Sequence, residues 1–308
     1  MSGLREQVGD YLRLRRSLGY KLIEHERFLN QFLDYLEETQ ATTITAENAL
    51  AWAKLPVGTN PRWHGARLSA IRGFALWAQA FDPDIQVPPT GLLPMRTPRA
   101  TPFLYSEDQI RALMDAAASL VPALKAATFR MLIGLLAVTG MRAGEAVRAD
   151  VTDLDLDEAT LTVRSTKFGK SRLLPLHVSV VDELRDYLSL RAAGALPGVM
   201  ALLVSATGTR LTYDNAHKVF KKLTAQAGIK TRSPACRPRM HDLRHSFAVN
   251  TLLDAYRSGG DVTERLPLLS TYLGHTEPAN TYWYLHAAPE LLALAADKLN
   301  IHDAKEGR

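Results

Sequence analysis

The chain has 308 residues, of which 46% are hydrophobic and 22% charged, and its formal net charge is +5 at pH 7. This length suits two domains better than one, and no apolar run approaches the ~20 residues that span a bilayer. A single cysteine, Cys236, excludes an intrachain disulfide and a cysteine-based zinc site. We therefore expect a cytoplasmic protein with no membrane contact, and the modest positive charge favours an anionic partner without identifying it.

The N-terminal segment, residues 1–85, shows the three- and four-residue hydrophobic spacing of helices with a buried face. The last of these helices is expected from about residue 61 to residue 80. It carries Arg62, Arg67 and Arg72 among aromatic side chains. These arginines could contact DNA phosphates or form a solvated basic face, and this segment alone leaves both interpretations open.

The composition changes between residues 82 and 102, where prolines recur and cannot continue a helix. We assign residues 86–102 to a basic, proline-rich linker that joins the helical domain 1–85 to a larger domain, 103–308. A linker of this length would allow two lobes to close around a wide partner.

The larger domain is predicted to be mostly helical with a small sheet. Ser106 begins a capping-box sequence that starts a helix. Alternating apolar residues predict short strands at 151–156, 161–164 and 172–176. Helices are expected at 122–138, 179–193, 213–227, 241–257, 262–273 and 278–299. The fold class is therefore mainly α with a small antiparallel β-sheet (α+β).

Five segments carry side chains that together could break and rejoin a phosphodiester without a metal. These segments are 139–145, 166–170, 241–245, 273–276 and 282–284. Arginine neutralises phosphate oxygens through two parallel hydrogen bonds, lysine and histidine transfer protons, and tyrosine can attack phosphorus. The combination indicates phosphoryl transfer.

The first segment places Arg142 just after a glycine, at the expected start of a helix. Glu145 lies three residues later on the same helical face and could orient Arg142 or a histidine. An ordinary helix start with a surface ion pair would explain the same pattern. His241 and Arg244 also share a helical face, which predicts an imidazole and a guanidinium beside one phosphate.

The spacing of His241 and His245 allows a different interpretation, a zinc site completed by His275. It lacks the glutamate base, because Asp242 occupies that position, and Arg244 would oppose a dication. We therefore predict no metal and interpret His245 as a supporting hydrogen-bonding residue.

The hairpin loop before the third strand contains Lys167 and Lys170, and Arg172 follows it. Lys167 could donate a proton if its pKa were lowered by burial, although a solvated basic turn explains it equally well. Lys170 and Arg172 are interpreted as phosphate-positioning or surface charges. Farther along the chain, Tyr282 and Tyr284 are ~200° apart around a helix, so only one of them can face the site.

The order and spacing of these segments over residues 106–286 resemble the site-specific tyrosine recombinases, also called the phage-integrase family. In that family the nucleophile follows the histidine of a Leu-Gly-His sequence by nine residues, which selects Tyr284. The resemblance assigns catalytic roles to Arg142, Lys167, His241, Arg244, His275 and Tyr284, with Glu145 supporting them. The stretch 254–269 looks longer than the usual connection between these helices in that family.

The resemblance implies a helical core-binding domain followed by a tyrosine-recombinase catalytic domain. It implies strand exchange on double-stranded DNA through a 3′-phosphotyrosyl enzyme, without cofactor, metal or ATP, in mobile-element integration, excision or transposition. The host would be a bacterium or a phage. A homotetramer on paired sites is expected, with helix 289–299 as a candidate contact. Type IB topoisomerase-like relaxation and a non-catalytic DNA-binding derivative remain as alternatives.

Overall fold

The computed structural model describes residues 2–55, 57–58, 61–94, 100–164, 171–258, 260 and 262–274. The chain divides after Arg99 into two compact units. Within the described ranges, no helix combines the length and the apolar character needed to cross a bilayer.

The first unit is built from helices whose apolar faces meet in one core. They are α1 (Ser2–Ser17), α2 (Ile23–Glu38), α3 (Ala46–Lys54) and α4 (Pro61–Ala78). Phe32 of α2 and Ile71 and Phe74 of α4 are fully buried, and Trp52 of α3 packs against Phe32 with ring centroids 5.3 Å apart. The helical pattern predicted for this segment is present.

Contacts with the core of the first unit continue into residues 86–102, the predicted linker. Ile85 is fully buried in the core of the first unit, and the backbone N–H of Gln86 donates to the carbonyl of Ile44 at 2.8 Å. Val87 and Leu93 pack against the same core. Helix α4 ends at Ala78, and the chain that follows still packs on the first unit.

The second unit consists of helices around a small sheet. Its helices are α5 (Glu107–Ala118), α6 (Ala123–Thr139), α7 (Ala143–Ala146), α8 (Val178–Gly194), α9 (Tyr213–Gln226), α10 (Asp242–Arg257) and α11 (Val262–Leu273). The described strands form the antiparallel order β1 (Leu154–Asp155), β2 (Thr160–Val163), β3 (Arg172–Pro175). The mainly α architecture with a small antiparallel sheet confirms the predicted fold class.

The first predicted strand is shorter than expected. Residues Val151–Asp153 form a 3-10 turn, and only Leu154–Asp155 pair with β2. The carboxylate of Asp153 accepts a hydrogen bond from the backbone N–H of Asp150 at 2.8 Å. This local side-chain-to-backbone bond competes with strand pairing, which the alternation of apolar residues did not reveal.

Helix α6 is the centre of the second unit, because it packs against α5, α8 and α10. Its residues are apolar on nearly every side, as expected of a helix covered all round. It ends at Gly140, whose φ of 59° lies in the left-handed region that glycine adopts without a steric penalty. The packing of α10 on α6 brings the segments at residues 140–145 and 241–245 together.

Candidate active site

The candidate site lies where three chain segments converge: the residues after α6, the beginning of α10 and the end of α11. Arg142 follows α6, Arg244 lies in the first turn of α10, and Leu273 is the last residue of α11. Hydrogen bonds join these segments across 104, 29 and 132 residues of sequence. The three segments are therefore held together by specific contacts between residues far apart in the sequence.

Arg142 and Glu145 form a closed local arrangement at the start of α7. The backbone N–H of Arg142 donates to Oε2 of Glu145 at 2.9 Å, and its Nη1 donates to Oε1 at 2.8 Å. Glu145 is buried, with 5% of its surface exposed, whereas 36% of the Arg142 side chain is exposed. The carboxylate thus holds an arginine whose guanidinium still reaches solvent.

A second arginine, Arg172 at the start of β3, contacts the same carboxylate. Its Nη2 donates to Oε2 of Glu145 at 2.7 Å and its Nη1 to Oε1 at 3.3 Å. Burial raises the pKa of Glu145, but the hydrogen bonds from Arg172 and Arg142 outweigh burial and lower that pKa to about 2. Glu145 is therefore ionised at neutral pH.

Arg244 is held by backbone carbonyls. It is 2% exposed, its Nη1 donates to the carbonyl of Gly140 at 2.8 Å, and its Nη2 donates to the carbonyl of Leu273 at 2.7 Å. A guanidinium has five N–H donors in one plane, and these two contacts fix the orientation of that plane. The neutral carbonyls orient the side chain without cancelling its charge.

Arg142 also reaches the end of α11. Its Nη2 donates to the carbonyl of Gly274 at 3.3 Å, next in sequence to the Leu273 carbonyl that Arg244 contacts. The two arginines therefore bind consecutive carbonyls, and residue 275 follows them directly in the chain. This arrangement gathers two positive charges at one place, as recognition of a phosphate requires.

His241 immediately precedes α10, near this positive region. The surrounding protein and then the charges of Arg244, Arg239 and Arg142 lower the pKa of His241 to about 4. Although His241 retains an exposed surface, the three neighbouring guanidinium groups also disfavour its protonation. A neutral imidazole at physiological pH can accept a proton.

His245 and Asp242 are buried near the exposed His241. The rings of His241 and His245 are perpendicular, with centroids 4.9 Å apart. Asp242 is fully buried and accepts hydrogen bonds from Nε and Nη2 of Arg239 at 3.0 and 2.6 Å. Burial raises the pKa of Asp242 above its ordinary value, although the hydrogen bonds from Arg239 act in the opposite direction. His245 is thus buried beside the site, where a supporting role was predicted.

The arginines predicted to contact DNA from α4 occupy different environments. Arg62 is exposed and Arg72 is half-buried. Arg67 is 7% exposed, its guanidinium lies 3.6 Å from the ring centroid of Trp52, and its Nη2 donates to the carbonyl of Trp52 at 3.0 Å. The ring and carbonyl of Trp52 hold the guanidinium inside the first unit, which argues against the phosphate contact predicted for Arg67.

Several predicted site residues fall outside the described part of the chain. They are Lys167, Lys170, His275, Tyr282, Tyr284 and the helix at 289–299. In the part that is described, no group of three or more histidine, cysteine, aspartate or glutamate side chains could hold a metal ion.

The sequence analysis did not identify two components of the site. The first is the set of main-chain carbonyls at Gly140, Leu273 and Gly274. No side-chain pattern predicts such carbonyls, although the two glycines indicate where the helices end. The second is the pairing of Arg172 with Glu145, although the charge and strand position of Arg172 were noted. The charge of Arg172 is paired with the buried Glu145 carboxylate, which does not favour the predicted phosphate contact.

This chain is similar to known proteins in both sequence and fold. A family model described as the phage integrase family matches residues 104–290. The protein y4rB of Sinorhizobium fredii (strain NBRC 101917 / NGR234), an integrase/recombinase by its name, is 44% identical over 306 residues, covering 97% of this chain and 98% of y4rB. The tyrosine recombinase XerC of Azotobacter vinelandii (strain DJ / ATCC BAA-1303) is 28% identical over 295 residues, covering 94% and 93%.

Solved structures share the fold. The crystal structure of XerA recombinase superposes with a TM-score of 0.52 and 25% identity, covering 96% of this chain and 98% of that one. The Tn1549 transposon integrase, in complex with transposon right end DNA, superposes with a TM-score of 0.62 at 16% identity, covering 96% and 99%. Similarity therefore extends over both units.

Proposed function

Because the chain belongs to the phage integrase family of tyrosine recombinases, we propose that it cuts and rejoins duplex DNA at specific sites through a 3′-phosphotyrosyl intermediate. The proposed biological role is the integration, excision or transposition of a mobile element. The observation that supports this reaction most directly is the binding of Arg142 and Arg244 to the consecutive carbonyls of Gly274 and Leu273.

The two arginines supply what phosphoryl transfer needs most, a fixed positive environment for the non-bridging oxygens. Arg142 is oriented by Glu145 and keeps an exposed surface. Arg244 is oriented by main-chain carbonyls on both sides. Since both orientations exist before any substrate binds, little reorganisation is needed when charge develops on the phosphate.

In the proposed first step, the phenolic oxygen of Tyr284 attacks the phosphorus of the scissile phosphate. A P–O bond to tyrosine forms and the P–O5′ bond breaks, so the strand ends in a free 5′-hydroxyl. His241 accepts the phenolic proton and Lys167 donates a proton to the departing 5′-oxygen. His275 donates a further hydrogen bond to the phosphate in the transition state.

The covalent intermediate conserves the energy of the broken linkage. The 5′-hydroxyl of a second strand attacks the phosphotyrosine, tyrosine leaves, and a new phosphodiester forms. In the proposed mechanism, these bond changes require neither ATP nor a metal ion. The neutral state favoured for His241 by the surrounding protein and the neighbouring arginines suits a proton acceptor in the first step.

The proposed partner is double-stranded DNA bound by a homotetramer on paired sites. The name of y4rB as an integrase/recombinase and the complex of the Tn1549 integrase with transposon DNA support the mobile-element role. Contact between subunits through residues 289–299 is part of the same proposal. The exposed Arg62 is a candidate for phosphate contact in the first unit.

The test begins with identification of the DNA site. Fragments that remain attached to the wild-type protein after denaturation are recovered from its source cells and sequenced. A duplex of that site, nicked beside the cleavage position so that the cut product diffuses away, is then mixed with purified protein. Denaturing gels measure the fraction of protein attached to DNA.

We expect attachment by the wild type and by Tyr282→Phe, and none by Tyr284→Phe. Attachment that persists in Tyr284→Phe would overturn the assignment of the nucleophile. A wild type that never attaches to DNA would contradict cutting itself. Relaxation of supercoiled plasmid by a monomer, without exchange between paired sites, would instead support a topoisomerase.

A further inference from the structure

Arg172 occupies an unusual place for a charged residue beside a hairpin loop. It is the first residue of β3, and only 13% of its side chain is exposed. Both terminal nitrogens of its guanidinium point to one carboxylate, that of Glu145, at 2.7 and 3.3 Å. Such a bidentate ion pair restricts the rotation of the carboxylate more strongly than a single hydrogen bond does.

Glu145 is shared between two arginines. Its Oε1 accepts from Nη1 of Arg142 at 2.8 Å and from Nη1 of Arg172, while its Oε2 accepts from the backbone of Arg142 at 2.9 Å and from Nη2 of Arg172. A carboxylate buried this deeply requires such compensation to stay ionised. Loss of Arg172 would leave Glu145 held by Arg142 alone.

Arg172 also packs against the other group that binds Arg142. A β-carbon added to Gly274, whose φ is 68°, would lie 3.1 Å from Nη1 and 3.4 Å from Cζ of Arg172. The carbonyl of this same Gly274 accepts from Nη2 of Arg142. Arg172 therefore binds Glu145 and lies beside Gly274, the two residues that accept hydrogen bonds from the Arg142 guanidinium.

We infer that Arg172 is a positioning residue for DNA cleavage: it acts through Glu145 and the Gly274 turn to fix the guanidinium of Arg142 against the scissile phosphate, and does not itself contact DNA. The inference rests on the proposed function, because cleavage is the activity it explains. It also replaces the direct phosphate contact that the sequence suggested for this residue.

The first experiment separates cleavage from binding in Arg172→Gln and Arg172→Lys. The single-turnover rate of covalent attachment is measured with saturating protein on the nicked duplex, and the affinity is measured separately over a range of salt concentrations. Misplacement of a positioned group by about 1 Å costs roughly 100-fold in rate, so we expect a loss of that order in Arg172→Gln. Arg172→Lys should retain part of the cleavage rate, because lysine can form an ion pair with Glu145 but cannot bind it in the bidentate geometry.

Binding distinguishes positioning from phosphate contact. A lost phosphate contact would reduce the slope of log affinity against log salt by about 0.9, whereas positioning leaves that slope unchanged. A reduced slope with an unchanged cleavage rate at saturation would overturn the inference. Arg185→Gln is the matched control, since Arg185 is an exposed arginine of α8 paired with Asp182 of its own helix, and this variant should cleave like the wild type.

The second experiment is a double-mutant cycle with Glu145→Gln. Because Arg172 acts in part through Glu145, the double variant should lose clearly less rate than the product of the two single losses. Multiplication of the two losses would overturn the inference. The double variant removes the buried charge together with its partner, so it remains informative if Arg172→Gln alone fails to fold.

The two hypotheses fail in different ways. If the wild type forms no covalent DNA adduct, the proposed function fails before Arg172 is tested. If the wild type and Arg185→Gln cleave and Arg172→Gln cleaves equally well, only the role of Arg172 is wrong.

Discussion

The ring of Phe247 in α10 fills the space that a side chain on Gly140 would need. A β-carbon at residue 140 would lie 3.0 Å from both Cε1 and Cγ of Phe247 and closer still to Cδ1. The carbonyl of Gly140 meanwhile accepts from Nη1 of Arg244. The glycine therefore serves three purposes, because it ends α6, admits α10 and orients a candidate catalytic arginine.

Gly140→Ala should lower the free energy of unfolding by roughly 2–5 kcal/mol, because a left-handed alanine is strained and the core is overpacked. Urea unfolding at pH 7 measures the change. Gly134→Ala is the control within the same helix: its β-carbon would meet only Cε of Met114, at 3.8 Å. Alanine there should be neutral or stabilising by about 0.5–1 kcal/mol. Equal effects at the two positions would contradict this account.

Arg244→Lys should bind DNA but cleave it at least ~100-fold more slowly, because catalysis depends on groups held in place. A single ammonium group cannot bind the carbonyls of Gly140 and Leu273 and also present a planar fork to a phosphate. Single-turnover attachment to the nicked duplex measures the rate. Arg185→Lys, an exposed replacement on α8, serves as control. Near-normal cleavage by Arg244→Lys would count against the arginine clamp.

Local relationships in the site were predictable from sequence, and distant ones were not. Glu145 was expected to orient Arg142 because residues three apart share a helical face, and the hydrogen bonds between them agree with that geometry. The contact of Arg244 with Gly140 spans 104 residues. No pattern within one segment encodes such a contact, because it depends on how α10 packs against α6.

The burial of Arg67 could have been predicted from its spacing to apolar residues of the same helix. It lies four, seven and eleven residues before Ile71, Phe74 and Ala78, which are all fully buried. This spacing is that of one helical face, so Arg67 belonged to the buried face of α4. Charge alone suggested solvent, yet the ring and carbonyl of Trp52 provide an arginine with a buried partner.

His241 should make the protein less stable as the pH falls. Its pKa in the folded protein, about 4, lies below the ordinary value of 6.5, so the unfolded chain binds the proton more readily. The stabilising contribution is therefore complete above pH 6.5 and is lost as the pH falls through the folded value. Between pH 6.5 and 4, the free energy of unfolding should decline less steeply in His241→Gln than in the wild type.

Chemical unfolding at pH 6.5, 5.5 and 4.5 tests this difference. His217→Gln, which removes an exposed histidine of α9, shows whether loss of any imidazole gives the same change. Identical pH profiles for His241→Gln and the wild type would contradict the electrostatic environment assigned to His241.

The role of Lys167 can be isolated by changing the leaving group. If Lys167 protonates the departing 5′-oxygen, a substrate with sulfur at that bridging position should need it much less, because a thiolate leaves without a proton. Lys167→Ala should therefore cleave the oxygen substrate roughly 100-fold or more below wild type, within the range of general acid catalysis, and cleave the sulfur substrate at nearly the wild-type rate.

Two controls make the sulfur experiment specific. Lys170→Ala removes a neighbouring lysine that is not the proposed acid, so any loss of rate should be the same with oxygen and with sulfur. Arg142→Ala removes phosphate stabilisation, not a proton donor, so it should remain slow with oxygen and with sulfur alike. Continued slowness of Lys167→Ala with sulfur would show that Lys167 is not the acid. Recovery of Arg142→Ala by sulfur would show that rescue does not identify a proton donor.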